Sequence, residues 1–143
     1  MLVRTKVEGP LDSCEKVAEV LRRWLSTRSK IDRDKEHFWV IGLDTKLNVK
    51  YFEVVTIGTL DASLVHPREV FRCAIMQGVA SIALGHNHPS GDITPSQEDR
   101  HVTRSLVKAG KILGIRILDH LIVGLNGNRF SFAESLPDDL RDA

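Results

Sequence analysis

Three side chains in one short stretch could share a metal ion: His86, His88 and Asp99. The run Val79 to Gly85 is nearly all apolar and reads as a central strand buried on both faces. His86 and His88 follow it two positions apart. Alternate residues of a strand point the same way, so the two imidazoles converge at its C-terminal end. Open α/β sheets build their sites at that end. Asp99 lies in the next predicted helix, three residues after Ser96, so the two share a helix face near its start. The loop between carries turn chemistry at Pro89, Ser90, Gly91 and Asp92 and is short enough to fold the helix start over the strand end. The helix dipole there favours an ionised carboxylate, the form a metal ligand needs. Taken singly, the histidines could be polar strand termination and Ser96 with Asp99 ordinary capping. Together they make two same-facing imidazoles and one acid, a frequent catalytic zinc set that keeps a position for water. The spacing alone does not separate zinc from other divalent ions.

The elements that must position these groups follow from periodicity. A helix is predicted from about Glu15 to Thr27, with Val17, Val20, Leu21, Trp24 and Leu25 on one face and Asp12 with Glu15 resembling a capping box. His37 to Leu43 and Val49 to Ile57 read as a hairpin across the polar turn Asp44 to Asn48. Gly58 to His66 reads as irregular. Pro67 opens a helix that Gly78 closes. After the His86 to Ile93 loop, Thr94 as N-cap, Pro95 as first helical residue and Gln97 as capping-box partner open a helix that stops at Gly114. Ile115 to Val123 and Arg129 to Ala133 complete a second hairpin across Asn126, Gly127 and Asn128. Interleaved helices and strands predict an α/β fold: a single layered domain, a mixed sheet flanked by helices, not a pure Rossmann arrangement.

The run HNHPSGDITPSQED from His86 to Asp99 resembles the signature of the JAMM, or MPN-plus, zinc metalloproteases. Those enzymes carry an upstream Glu, then His-x-His-Pro, then Ser-x-x-Asp. Within that superfamily the chain is most similar to the bacterial RadC-like proteins, through Ile57 to Arg72, Leu84 to Asp92 and Leu113 to Gly124. The resemblance covers nearly the whole chain and implies the JAMM/MPN, cytidine-deaminase-like architecture. It implies that His86, His88 and Asp99 bind zinc, that Ser96 hydrogen-bonds a developing oxyanion or orients the site, and that the upstream acid is Glu36. Asp34 is the neighbouring acid, and both lie in a charged turn. Zinc lowers the pKa of bound water from ~15.7 towards ~7, and Glu36 would act as general base and then acid. Amide or isopeptide hydrolysis of a peptide or protein substrate is the implied reaction. Asn87 stands where many superfamily members outside the RadC-like branch have Ser or Thr, and six residues separate Pro89 from Ser96. Substrates of the eukaryotic deubiquitinating members are therefore not carried over. Full-length RadC-like proteins carry a helix-hairpin-helix segment ahead of this domain. The arm of residues 1–11 is too short to hold one, so residues 1–143 read as one domain, either part of a longer protein or a short member.

Twenty basic and nineteen acidic residues give a net charge of +1, so no global pull towards nucleic acid exists. Arg22, Arg23, Arg28, Lys30, Arg33 and Lys35 form one basic stretch, read as a solvated helix end. It is the sequence support for a second function, a DNA-associated module in repair or recombination; a zinc-stabilised scaffold without turnover is a third. No apolar run is long enough for a membrane span, the N-terminus lacks a signal-peptide h-region, and Cys14 and Cys73 suggest no disulfide framework. The expected home is a reducing cytoplasm. An exposed edge strand offers a route to a homodimer. His120 is expected in a structural or metal-supporting role, His101 points away from Asp99, His66 could cap the helix at Pro67, and Cys73 belongs to the core. The zinc deaminase pattern lacks its ligands here.

Overall fold

The computed structural model describes residues 1–58 and 65–141. Its elements are α1 (Cys14–Ser26), α2 (Lys30–Arg33), β1 (His37–Leu43), β2 (Val49–Ile57), α3 (Pro67–Gln77), β3 (Ser81–Asn87), α4 (Gln97–Leu113), β4 (Arg116–Val123), β5 (Arg129–Ser131), α5 (Phe132–Ser135) and α6 (Pro137–Leu140). The strands form one sheet in the order β2-β1-β3-β4-β5. β1 is antiparallel to both β2 and β3, β3 is parallel to β4, and β4 is antiparallel to β5. This is the predicted mixed sheet of an α/β domain. β3 is its middle strand, buried at every position, which is why its sequence is so apolar.

The two faces of β3 feed two cores. Ile82 and Leu84 pack with Phe38, Phe71, Val102 and Leu106, under α3 and α4. Ala83 packs on the opposite face with Trp39, Ile41, Leu21 and Leu25, under α1. The alternation of strand side chains thus decides which residues can approach α4 and which α1.

Several boundaries differ from the sequence reading, each for a local reason. α1 is capped by Ser13, not Asp12: Ser13 Oγ accepts from the Lys16 amide at 3.2 Å, while the Asp12 carboxylate pairs with the Lys16 ammonium at 2.8 Å. α2 is a single turn the apolar pattern does not mark, because it buries nothing; Ser29 caps it. The last strand stops at Ser131 rather than Ala133, because Ser131 becomes the N-cap of α5, accepting from the Glu134 amide. Of the stretch read as irregular, residues 59–64 lie outside the described residues, and His66 caps α3 by accepting from the Arg68 amide at 3.1 Å.

Met1 to Val3 runs along the outer edge of β2, with the Val3 amide donating to the Phe52 carbonyl at 2.8 Å and Val54 to Met1 at 3.0 Å. The basic stretch is partly neutralised: Arg22 pairs with Glu15, Arg23 with Glu19, Lys35 with Asp32, and Arg28 lies over the Trp24 ring. Both cysteines are thiols, and Cys73, on α3, is buried in the core. Among the described residues no helix is long and apolar enough to cross a membrane.

α4 is held against the sheet at both ends. Near its start, Arg100 and Arg104 reach the buried carboxylate of Asp139 on α6, at 2.8 and 3.4 Å. At its end Gly114 adopts φ 73° and the Ile115 amide returns to the Gly110 carbonyl at 2.9 Å. A Cβ on Gly110 would lie 2.5 Å from the Ile115 carbonyl oxygen. Gly110→Ala is therefore expected to destabilise the protein by about 1–2 kcal/mol in urea unfolding, although alanine alone would favour the helix by about 1 kcal/mol. A gain in stability would contradict this packing.

Candidate metal centre

β3 extends two residues beyond its predicted end, through His86 and Asn87. The parallel ladder carries it there: the His88 amide still donates to the Val123 carbonyl at 3.2 Å. Pro89, with no N–H, cannot continue it. α4 begins later than predicted. Thr94 is not its cap, because its amide donates to Asp92 Oδ1 at 3.0 Å in a local turn. Ser96 caps instead. Ser96 Oγ accepts from the Asp99 amide at 3.0 Å, and Asp99 Oδ2 accepts from the Ser96 amide at 2.8 Å. A charged carboxylate at the third helical position makes this capping box stronger than the expected Thr94–Gln97 pair. The same box fixes the Asp99 carboxylate at the mouth of β3.

His86, His88 and Asp99 converge there. His86 Nε2 lies 3.3 Å from Asp99 Oδ1, His88 Nε2 lies 3.2 Å from Asp99 Oδ2, and the two Nε2 atoms are 2.9 Å apart. One potential ligand atom from each residue falls within 4.8 Å of the other two. His86 and Asp99 are buried; His88 reaches the surface.

Which ring nitrogens carry protons follows from partners that can only accept. His88 Nδ1 is 2.7 Å from the Asp92 carbonyl oxygen, so Nδ1 holds the hydrogen and neutral His88 keeps its lone pair on Nε2. His86 is settled by a longer chain. Thr103 donates its hydroxyl proton to the Asp99 carbonyl at 2.8 Å. His120 Nδ1, at 2.6 Å, must then donate to Thr103 Oγ1. That leaves His120 Nε2 to accept from His86 Nδ1 at 2.7 Å, and places the His86 lone pair on Nε2. Two lone pairs and an anionic carboxylate thus face one another at hydrogen-bonding distance. Such a donor set is stable only around a cation, and its nitrogens and oxygen suit a divalent metal. In the metal-free protein a proton serves. The Asp99 hydrogen bond pushes the His88 pKa up, and burial pushes His86 and His120 down. Burial alone would raise Asp99, but its close contacts with the two imidazoles and the hydrogen bond from the Ser96 amide outweigh it and hold the carboxyl well below its usual range.

His120 is fully buried, stacked on Phe132 at 4.8 Å and edge-on to Phe38 at 5.7 Å. Its Nε2 touches the candidate ligand His86. Thr103 and the Asp92 carbonyl escaped the sequence reading. Thr103 stands four residues after Asp99 on the same helix face, a spacing that could have pointed to it.

The other two sequence candidates border the same cleft, about 340 Å³ in volume and lined by Glu36, His88, Pro89, Ser96 and Asp99 among others. Glu36 immediately precedes β1, and its charge acts on both His86 and His88. The oxygen of Ser96 is engaged in capping, which leaves its own hydroxyl proton to be donated elsewhere. His101 is exposed. The Thr103→Val variant removes the hydroxyl that orders His120. Its metal affinity, read by competition with a chelating dye, is expected to fall about 10-fold or more with the circular dichroism spectrum unchanged; unaltered affinity would contradict the proton chain.

Comparison with known proteins places this site in a family. Residues 11–136 match the model of the RadC-like JAB domain. A UPF0758 protein of Desulforamulus reducens is 46% identical over 132 residues, which is 92% of this chain and 53% of that protein. A UPF0758 protein of Methanococcoides burtonii is 58% identical over 90 residues, 63% of this chain and 39% of that protein, and one of Chlorobaculum tepidum 53% identical over 103 residues, 72% and 46%. The chain spans about half the length of these curated relatives. With a family match across most of its length and the mixed sheet of that fold, the chain belongs to the RadC-like JAB domain family.

Proposed function

We propose that the chain is a zinc-dependent hydrolase that cleaves a peptide or isopeptide amide bond at the His86, His88 and Asp99 centre. The observation that carries this reading is the convergence of two imidazole lone pairs and one carboxylate on a common point at the edge of an open cleft. Membership of the JAB family supports a metallohydrolase-like fold. When bound, a zinc ion supplies Lewis acidity, which acidifies water and polarises a carbonyl.

The chain's own groups divide the remaining work. His86 and His88 present Nε2 because their Nδ1 protons are committed to His120 and to the Asp92 carbonyl. Asp99 is held ionised by its histidine and Ser96 contacts. Glu36, which lines the same cleft, would take a proton from the attacking water and return it to the leaving amine. Ser96 would donate its hydroxyl to the oxygen on which charge develops. A scaffold without turnover would not need an acid beside the metal ligands. The DNA-associated reading draws on the basic stretch alone. Three of its residues are paired with acids, and the cleft is lined by the acids Glu36, Asp92 and Asp99 rather than by cations.

The test is cleavage of a peptide and lysine-isopeptide library by the zinc-loaded protein. Glu36→Gln is expected to retain its zinc while the rate falls about 10²- to 10⁴-fold. A variant that hydrolyses at the wild-type rate would remove Glu36 from the mechanism.

A further inference from the structure

We propose that Asn87, between the two histidines, is a positioning residue for Glu36; the inference rests on the hydrolase reading above. Backbone pairing of β1 with β3 extends to Phe38 opposite His86 and stops there. One step further, where His37 would face Asn87, a side chain replaces the main chain. Asn87 Oδ1 accepts from the His37 amide at 2.7 Å, and Asn87 Nδ2 donates to the Lys35 carbonyl at 2.9 Å. Those two groups bracket Glu36. The Glu36 carbonyl itself accepts from the Gly58 amide at 2.8 Å. Three hydrogen bonds therefore hold the backbone around this acid, and one side chain makes two of them.

The chemistry selects an amide. The Lys35 carbonyl can only accept and the His37 amide only donate, so the orientation of the Asn87 side chain is settled by its partners. Aspartate would set an oxygen against the Lys35 carbonyl, and that repulsion would swing the carboxylate away and open the bond to the His37 amide as well. Asn87 is 2% exposed, so water does not make good a lost partner. The geometry follows from strand alternation: His86 and His88 turn towards Asp99, and Asn87 turns towards the other side of β3. One strand tip thus sets the distance between the metal ligands and the acid that would work beside them. A displacement of about 1 Å at such a group can cost about 10²-fold in rate.

The test compares wild type, Asn87→Asp, Asn87→Ser, Glu36→Gln and the Asn87→Asp/Glu36→Gln double variant, all zinc-loaded. Zinc affinity by chelator competition is expected to stay within about 3-fold of wild type, because Asn87 touches no ligand atom. Amide hydrogen exchange by NMR is expected to show lost protection at His37 in both Asn87 variants. On the best library substrate, Asn87→Asp is expected to lower kcat about 10- to 100-fold with KM nearly unchanged, and to lower it no further in the Glu36→Gln background. A merely structural role would reduce the rate equally in both backgrounds, and that result would overturn the proposal. So would retained His37 protection in Asn87→Asp. If the wild type cleaves nothing, the hydrolase reading itself has failed; the hold of Asn87 on the Glu36 backbone is then judged by exchange alone, and unchanged protection at His37 and Gly58 would overturn it.

Discussion

The structure around β3 depends on one electrostatic constraint: two imidazole lone pairs and an ionised carboxylate are packed against each other at the edge of a cleft, two of the three residues buried. Nothing in that arrangement is self-satisfying. A lone pair facing a lone pair at 2.9 Å is repulsive, and the carboxylate adds negative charge to both. A proton or a metal ion must lie among them. The proton chain from Asp99 through Thr103 and His120 to His86 makes this a built feature, because it fixes the His86 tautomer that offers Nε2. The chain starts and ends on candidate ligands, so α4, β4 and β3 are tied together through the site.

The fold supplies the remaining constraints. β3 is central and buried, with neighbours on both sides, so its tip cannot drift. Its parallel pairing with β4 places His120 beside His86. The helix that returns across the sheet presents its first turn to the strand tip, and the capping box orients Asp99 there. Arg100 and Arg104 on Asp139, and the close turn at Gly110 and Gly114, hold that helix at its two ends. The segment before β1, which carries the cleft-lining Glu36, is tied to β3 by Asn87.

Much of this is legible in the sequence. The apolar run before His86 specifies a central strand, and the two-residue spacing of the histidines specifies a common face. Asp99 is reachable from its distance to Ser96. What escaped is decided by competition between nearby groups of similar chemistry. Thr94 and Ser96 both suit an N-cap, and Asp92 removes Thr94 from the contest by engaging its amide. Ser13 likewise displaces Asp12. β3 runs past the end its sequence suggests, because polar residues look like a strand's end, whereas His86 and Asn87 are buried and keep the ladder. The role of Asn87 and the link from Thr103 to His120 join residues far apart along the chain, so periodicity within one element cannot reveal them.

Zinc binding at equilibrium tests the constraint most directly. Dialysis of the wild type against buffered zinc, beside the His86→Ala/His88→Ala variant, should give one tightly held ion per chain in the first and none in the second, with matching circular dichroism spectra. Equal zinc in the two proteins, or none in either, would contradict the account.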